Sequence, residues 1–295
     1  MRRSVPMFPV AVIVALLLAV PLCGDEASLP AYALLGETRP GPEPVRFGAG
    51  FMRGAFHSSP VFAPDGLEAW WAGSYATASI YTSRWTGTAW SPPAEVRFSG
   101  RINSYRDPFV SPDGLRFYFI SEAALPGEPY GGKENIWFMR RIGQAWSEPE
   151  PLPAPVNSLQ LHWTLSVSSG YDLYFSARGP GGDADLFVAQ YIDGAYREPV
   201  LLPRPVNSHD EELTPNISPD GLVLLFSRMG PSGVPRLYVT YRSGPDWSAP
   251  ALVENVPYCI APVVTPDRRY LVFMSAHNAF SWRDASFIDE LKPRP

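Results

Sequence analysis

The chain is short of cysteine, histidine and clustered positive charge. It has two cysteines and four histidines in 295 residues, with a net charge of −5. Two cysteines exclude a disulfide-built scaffold, and a chain this long can bury a core without one. Cys23 lies at the end of an N-terminal leader, so a Cys23–Cys259 disulfide is not expected, and Cys259 reads as a small buried hydrophobe. No cluster of Lys and Arg stands out, which argues against nucleic acid as a partner. No His-x-x-x-His spacing supports a local metal site.

Long apolar runs are also missing after the first 22 residues. Phe8 to Leu22 is apolar throughout, follows Arg2 and Arg3, and is succeeded by Gly24-Asp25-Glu26. Fifteen residues are short for a membrane span and suit a signal-peptide core. Residues 1–23 are therefore expected to direct export to the periplasm or outside the cell. Cys23 stands where a lipoprotein carries its lipid, although Pro21-Leu22 fits that motif poorly. The alternatives to a cleaved leader are retention of the apolar segment as a membrane anchor and a lipid anchor at Cys23. Residues 24–41 read as a linker, and 42–295 as a single β domain.

What is abundant points to strands and turns. Proline numbers 34 and aromatic residues make up 13%, a mix suited to short strands joined by tight turns. Ala63-Pro64-Asp65-Gly66, Ser111-Pro112-Asp113-Gly114, Ser218-Pro219-Asp220-Gly221 and Thr265-Pro266-Asp267-Arg268 are versions of one turn, and Ser168-Ser169-Gly170 is a degenerate copy. They recur at roughly 50-residue steps, the length of a four-stranded propeller blade. Apolar runs flank each turn, as Phe109-Val110 and Phe117-Tyr118-Phe119 do. A third run (Ile136-Trp137-Phe138) and a marker such as Trp146-Ser147-Glu148-Pro149 complete the unit. Its prolines suit an outer edge strand.

The last repeat lacks its fourth strand and ends in a short predicted helix, Ala285 to Leu291. Pro42-Glu43-Pro44-Val45-Arg46-Phe47 resembles Pro93-Ala94-Glu95-Val96-Arg97-Phe98 and supplies the missing piece. The expected fold is an all-β propeller of five four-stranded blades, closed by an N-terminal strand that completes the last blade. Six blades would need further strand within residues 25–50.

The Ser-Pro-Asp-Gly turns, the aromatic second strands and the stretch Ser176 to Phe187 resemble the TolB-like, WD40-like propeller repeat of bacterial exported proteins. The resemblance covers roughly Pro42 to Lys292 and implies the propeller fold. It leaves function open, because such proteins bind envelope partners, form extracellular sensor or binding modules, or carry enzymes. The Ser-x-Asp-x-Gly-x-x-Trp box of sialidase propellers is absent.

Function is expected on the face opposite the Pro-Asp-Gly turns, where the chain runs into each innermost strand. Taking Pro60, Pro108, Leu165, Pro215 and Pro262 as one level, His57, Tyr105, His162, Glu212 and Cys259 stand three residues earlier. This alignment would ring the channel mouth with them, beside Arg106, Asp107, Trp163 and Glu211. Metal ligands would come from His57, His162, Glu212 and Cys259. Asp107 and Glu212 would be the carboxylate pair of a glycosidase, and Tyr105 and Trp163 would stack on a sugar or a peptide side chain. All four histidines, including His209 and His277, map to this face, and the long loop from Ala123 to Lys133 overhangs it. The first reading is a binding module without a cofactor, engaging an envelope protein or glycan there. The alternative is a hydrolase or lyase acting on carbohydrate or peptide at the same face, with or without a divalent metal.

Overall fold

The computed structural model describes residues 37, 39–52, 56–74, 78–97, 102, 104–276 and 279–294, without the side chain of His162. The expected signal peptide, Cys23 and His277 lie outside the described residues. Among the described residues, no helix is long and apolar enough to cross a membrane.

Five antiparallel sheets stand in a ring, each running from an innermost to an outermost strand. Blade 1 consists of Val61–Phe62, Glu68–Ala72, Ile80–Arg84 and Ala94–Val96. Blade 2 holds Arg106–Val110, Arg116–Ser121, Asn135–Ile142 and Glu150–Pro151. Leu161–Val167, Leu173–Arg178, Ala184–Ala189 and Val200–Leu201 make blade 3. Glu211–Ile217, Val223–Met229, Pro235–Ser243 and Ala251–Leu252 make blade 4. Blade 5 joins both ends of the chain: Ile260–Val264, Tyr270–Ala276 and Ala279–Asp284, with Val45–Phe47 as its fourth strand. There Val45 pairs with Trp282 and Phe47 with Phe280. Five blades and closure by the N-terminal strand are thus as the sequence led us to expect. The terminal helix spans Phe287–Glu290.

The repeat residues have identifiable work. In the turns, Asp65, Asp113, Asp220 and Asp267 each accept the N–H two residues on, at 2.9–3.1 Å. Gly66, Gly114 and Gly221 sit at φ +69° to +72°, which costs glycine nothing. Blade 5 puts Arg268 there instead, at φ +61°. The Trp-Ser markers differ from expectation. Trp146 and Trp247 pair with the ends of the third strands, and the outermost strand follows them. The marker serines accept backbone N–H groups of that strand: Ser91 from Arg84, Ser147 from Arg140 and Ser248 from Tyr241, at 3.0–3.1 Å. Asn157 and Asn207 clamp the blade-to-blade connections, each bonding both backbone groups of a third-strand residue, Ile136 or Leu186.

Each second strand is sandwiched between neighbouring blades, so both of its faces are apolar. Phe117, Tyr118 and Phe119 are all fully buried. The core is divided into five clusters, one per blade interface. Trp70 meets Phe117 between blades 1 and 2. Tyr118 and Phe175 share the next interface, Tyr174 and Phe226 the third, and Leu225 and Phe273 the fourth. Phe47, Trp71 and Trp282 close the ring between blades 5 and 1.

Candidate functional site

Radial sheets decide where side chains go. The faces of an innermost strand look toward the two neighbouring blades, while its free backbone edge looks toward the axis. Neighbouring side chains satisfy part of that edge. Ser166 accepts the N–H of Ile217, Thr214 that of Ala261 and Asn216 that of Val264, at 2.9–3.2 Å. The channel is therefore narrow. Ser58, Ser59, Pro108, Thr164 and Ala261 help to line a cavity of about 10 Å³ at its waist. Below it, at the turn end, lies a mostly apolar chamber of about 170 Å³ bordered by Phe109, Ile217, Val263 and Arg268.

Four of the innermost strands carry a bulge at the same height. Pairing shifts between Arg106 and Phe109, Leu161 and Leu165, Leu213 and Asn216, and Ile260 and Val263. Asp107, Trp163, Thr214 and Ala261 there adopt φ of +49° to +56°, a conformation unfavourable to all residues except glycine and, to a lesser degree, Asn and Asp. Bulges of this kind redirect side chains. In blade 2, Asp107 turns toward blade 1, and its Oδ1 lies 3.0 Å from His57 Nδ1. Both side chains are deeply buried, at 1% and 9% exposure. Burial alone would lower the His57 pKa, but the charge and hydrogen bond of Asp107 outweigh it and raise it.

Around this pair lies a charged cluster. Arg106 Nη1 is 3.1 Å from Glu122 and 3.5 Å from Glu134. Glu122 follows the second strand and Glu134 precedes the third, so they flank the base of the long loop. Burial raises the pKa of Glu134, the charge of Asp107 raises it further, and Arg106 opposes both. Asp107 Oδ2 and the hydroxyls of Ser58 and Ser59 are buried and have no hydrogen-bond partner within the protein. Groups in that state cost about 1–3 kcal/mol each unless something completes them.

The other sequence candidates do not join this cluster in a ring. Tyr105 is buried against Phe119, its ring 5.4 Å away, and its hydroxyl donates to the Ile102 carbonyl. Cys259 is fully buried in the interface of blades 4 and 5, where burial pushes its thiol pKa upward. Glu212 is fully buried in blade 4. It accepts from Arg228 Nε at 2.7 Å and from the hydroxyl and amide of Ser208 at 2.5 and 3.0 Å. Burial raises its pKa, against the pull of Ser208 and Arg228. It thus fixes the turn into its own strand and is committed away from Asp107. Glu211 is half-buried and pairs in register with Met229. Trp163 is half-buried and packs on the core shared by blades 5 and 1. His162 sits on the innermost strand of blade 3. His209 is exposed, its Nε2 3.2 Å from Arg204 Nη2. Among the described residues, no group of three or more His, Cys, Asp or Glu side chains is arranged to hold a metal ion.

Sequence reasoning singled out neither Glu122 nor Glu134, the two carboxylates on Arg106. The signal for both was the insertion between them, the longest in any blade, whose two ends must come together where a hairpin closes.

No protein-family model matches the chain, and no curated protein does. Solved structures similar to it include TolB proteins. One, from Agrobacterium tumefaciens, is 18% identical, with 73% of this chain and 68% of that one covered and a TM-score of 0.48. Another, from Acinetobacter baumannii, is 12% identical, with 77% and 56% covered and a TM-score of 0.48. A gluconolactonase from Xanthomonas campestris is 12% identical, with 84% and 97% covered, again at 0.48. At such identities the likeness says nothing about activity.

Proposed function

We propose that the protein is an exported binding module that engages an envelope protein or glycan through the face opposite the Pro-Asp-Gly turns. The observation that carries this reading is the charged group on that face, where the partly exposed Glu122 and Glu134 both lie against the buried Arg106 guanidinium. Asp107 and His57 stand directly behind these charges and act on Glu134 electrostatically, so the group is set to meet a polar partner. The test is capture from glycan arrays and envelope fractions, with Asp107→Asn and Glu134→Gln variants in parallel. Asparagine tolerates the positive φ at position 107, so that variant keeps the backbone. Capture lost in both folded variants supports the reading, and capture unchanged in both refutes it.

A second reading rests on the His57–Asp107 pair. A carboxylate at 3.0 Å orients the imidazole and raises its pKa, as general acid–base chemistry requires. The activity would be that of a hydrolase or lyase on carbohydrate or peptide. Turnover of a captured ligand, abolished by His57→Gln, would put this reading first.

A further inference from the structure

At its turn end the channel widens into the chamber of about 170 Å³. The wall is built mainly of aliphatic and phenylalanine side chains, together with the turn prolines Pro64, Pro112, Pro219 and Pro266. Phe109, Val263 and Val264 stay half-buried on their innermost strands because they border this space. Val223 of blade 4 and Ile288 of the terminal helix border it too. The chamber therefore extends from the axis into the seam of blades 4 and 5, where both residues pack. The waist above it, at about 10 Å³, has room for one water at most, so the way in is from the turn side.

A space of this size and lining suits one small ring. An apolar cavity of about 150 Å³ takes up benzene, whereas drug-sized ligands need about 300 Å³ or more. The polar groups on the wall narrow the choice. The hydroxyls of Ser111, Ser218 and Thr265 are committed to the turn carboxylates of Asp113, Asp220 and Asp267, at 2.5–2.6 Å. Arg268, the one charged side chain among the described residues bordering the chamber, pairs with Asp220 at 3.4 Å. Asn216 is different. It is 8% exposed and borders both chamber and waist, and its Oδ1 is taken by the Val264 N–H at 3.2 Å. Its Nδ2 donates to no group among the described residues, and a buried donor in that state is stabilised by an incoming acceptor.

We infer that the chamber binds a small neutral ring compound bearing one carbonyl oxygen. The ring displaces water from Phe109, Val263 and Val264, and the carbonyl accepts a hydrogen bond from Asn216 Nδ2. A charged ligand is disfavoured, because Arg268 is already paired and the charge would be buried without a counter-ion. The site lies at the opposite end of the channel from the binding face proposed above and does not depend on that role.

The experiment is NMR titration of the protein, labelled at its valine and isoleucine methyls, with cyclohexanone. Methylenecyclohexane, which has the same shape and no acceptor, and cyclohexanecarboxylate are the comparisons. Saturable one-to-one shifts at Ile217, Val223 and Val263 are expected with the ketone, at an affinity roughly five-fold or more above that of either comparison. Asn216→Asp keeps the acceptor for Val264 and removes the donor, and should erase the preference for the ketone over its isostere. Val263→Phe fills the chamber while keeping Asn216, and should abolish ketone binding, so it reads the site even where Asn216→Asp fails to fold. Absence of saturable shifts, shifts confined to other residues, equal affinity for the isostere or tighter binding of the carboxylate would overturn the inference. So would a preference retained in folded Asn216→Asp, or undiminished ketone binding in folded Val263→Phe.

Discussion

Replacing Phe47 with alanine tests whether the N-terminal strand closes the ring. Phe47 is 2% exposed and is the inward-facing residue of the three-residue strand Val45–Phe47. Its ring lies 5.7 Å from Trp282 in its own blade and 6.5 Å from Phe62 in blade 1. Emptying such a site costs about 3–5 kcal/mol. For a domain of this size that corresponds to a drop of about 6–20 °C in melting temperature. Val45, on the same strand but 45% exposed, provides the control, and Val45→Ala should cost about 0.5 kcal/mol or less. Urea unfolding followed by tryptophan fluorescence measures both. A Phe47→Ala loss below about 1 kcal/mol, no larger than that of the control, would mean that the strand is not docked in the seam.

Two further outcomes follow from buried charges. Because the His57 pKa is raised above 6.5 in the fold, its pairing with Asp107 stabilises fully below about pH 6.5 and is lost as pH rises through the folded-state value. The parent should lose stability relative to Asp107→Asn over that interval, and parallel pH profiles would refute the coupling. Removing Glu212 leaves Arg228 without its counter-charge and the Ser208 amide without its acceptor. Glu212→Ala should cost about 3 kcal/mol, while Glu212→Leu with Arg228→Met should recover much of it. A double variant no more stable than the single one would refute the account.

The architecture was legible because it is repeated. One Pro-Asp-Gly turn is weak information, but four at even spacing fix a blade, and the likeness of residues 42–47 to 93–98 located the closing strand. The site was harder to read for two physical reasons. Aligning innermost strands by sequence treats side chains at one height as neighbours around the axis. Tyr105 and Cys259 instead sit in blade interfaces, and Glu212 is held within its own blade by Ser208 and Arg228, because a radial sheet shows the axis its edge. The bulge that turns Asp107 toward His57 was also invisible. Its occupants, Asp107, Trp163, Thr214 and Ala261, share a backbone conformation without sharing a residue type. The outermost strand was misplaced by a few residues because the conspicuous tryptophans belong to the preceding hairpin.

Blade 5 also governs the order in which the molecule can be completed. Glu43 bonds Asn255 across 212 residues of sequence, and Phe47 waits for Trp282. During synthesis, four blades can form while the strand that seals the ring has nowhere to dock. Until the C-terminal residues arrive, the strand Val45–Phe47 and the apolar side of blade 1 remain uncovered. Contacts of such long sequence separation form slowly, so this interval is when the chain is most open to mispairing with a second copy of itself. A permuted chain, with residues 42–47 moved to follow the last blade, would shorten that interval without changing a single contact of the finished ring.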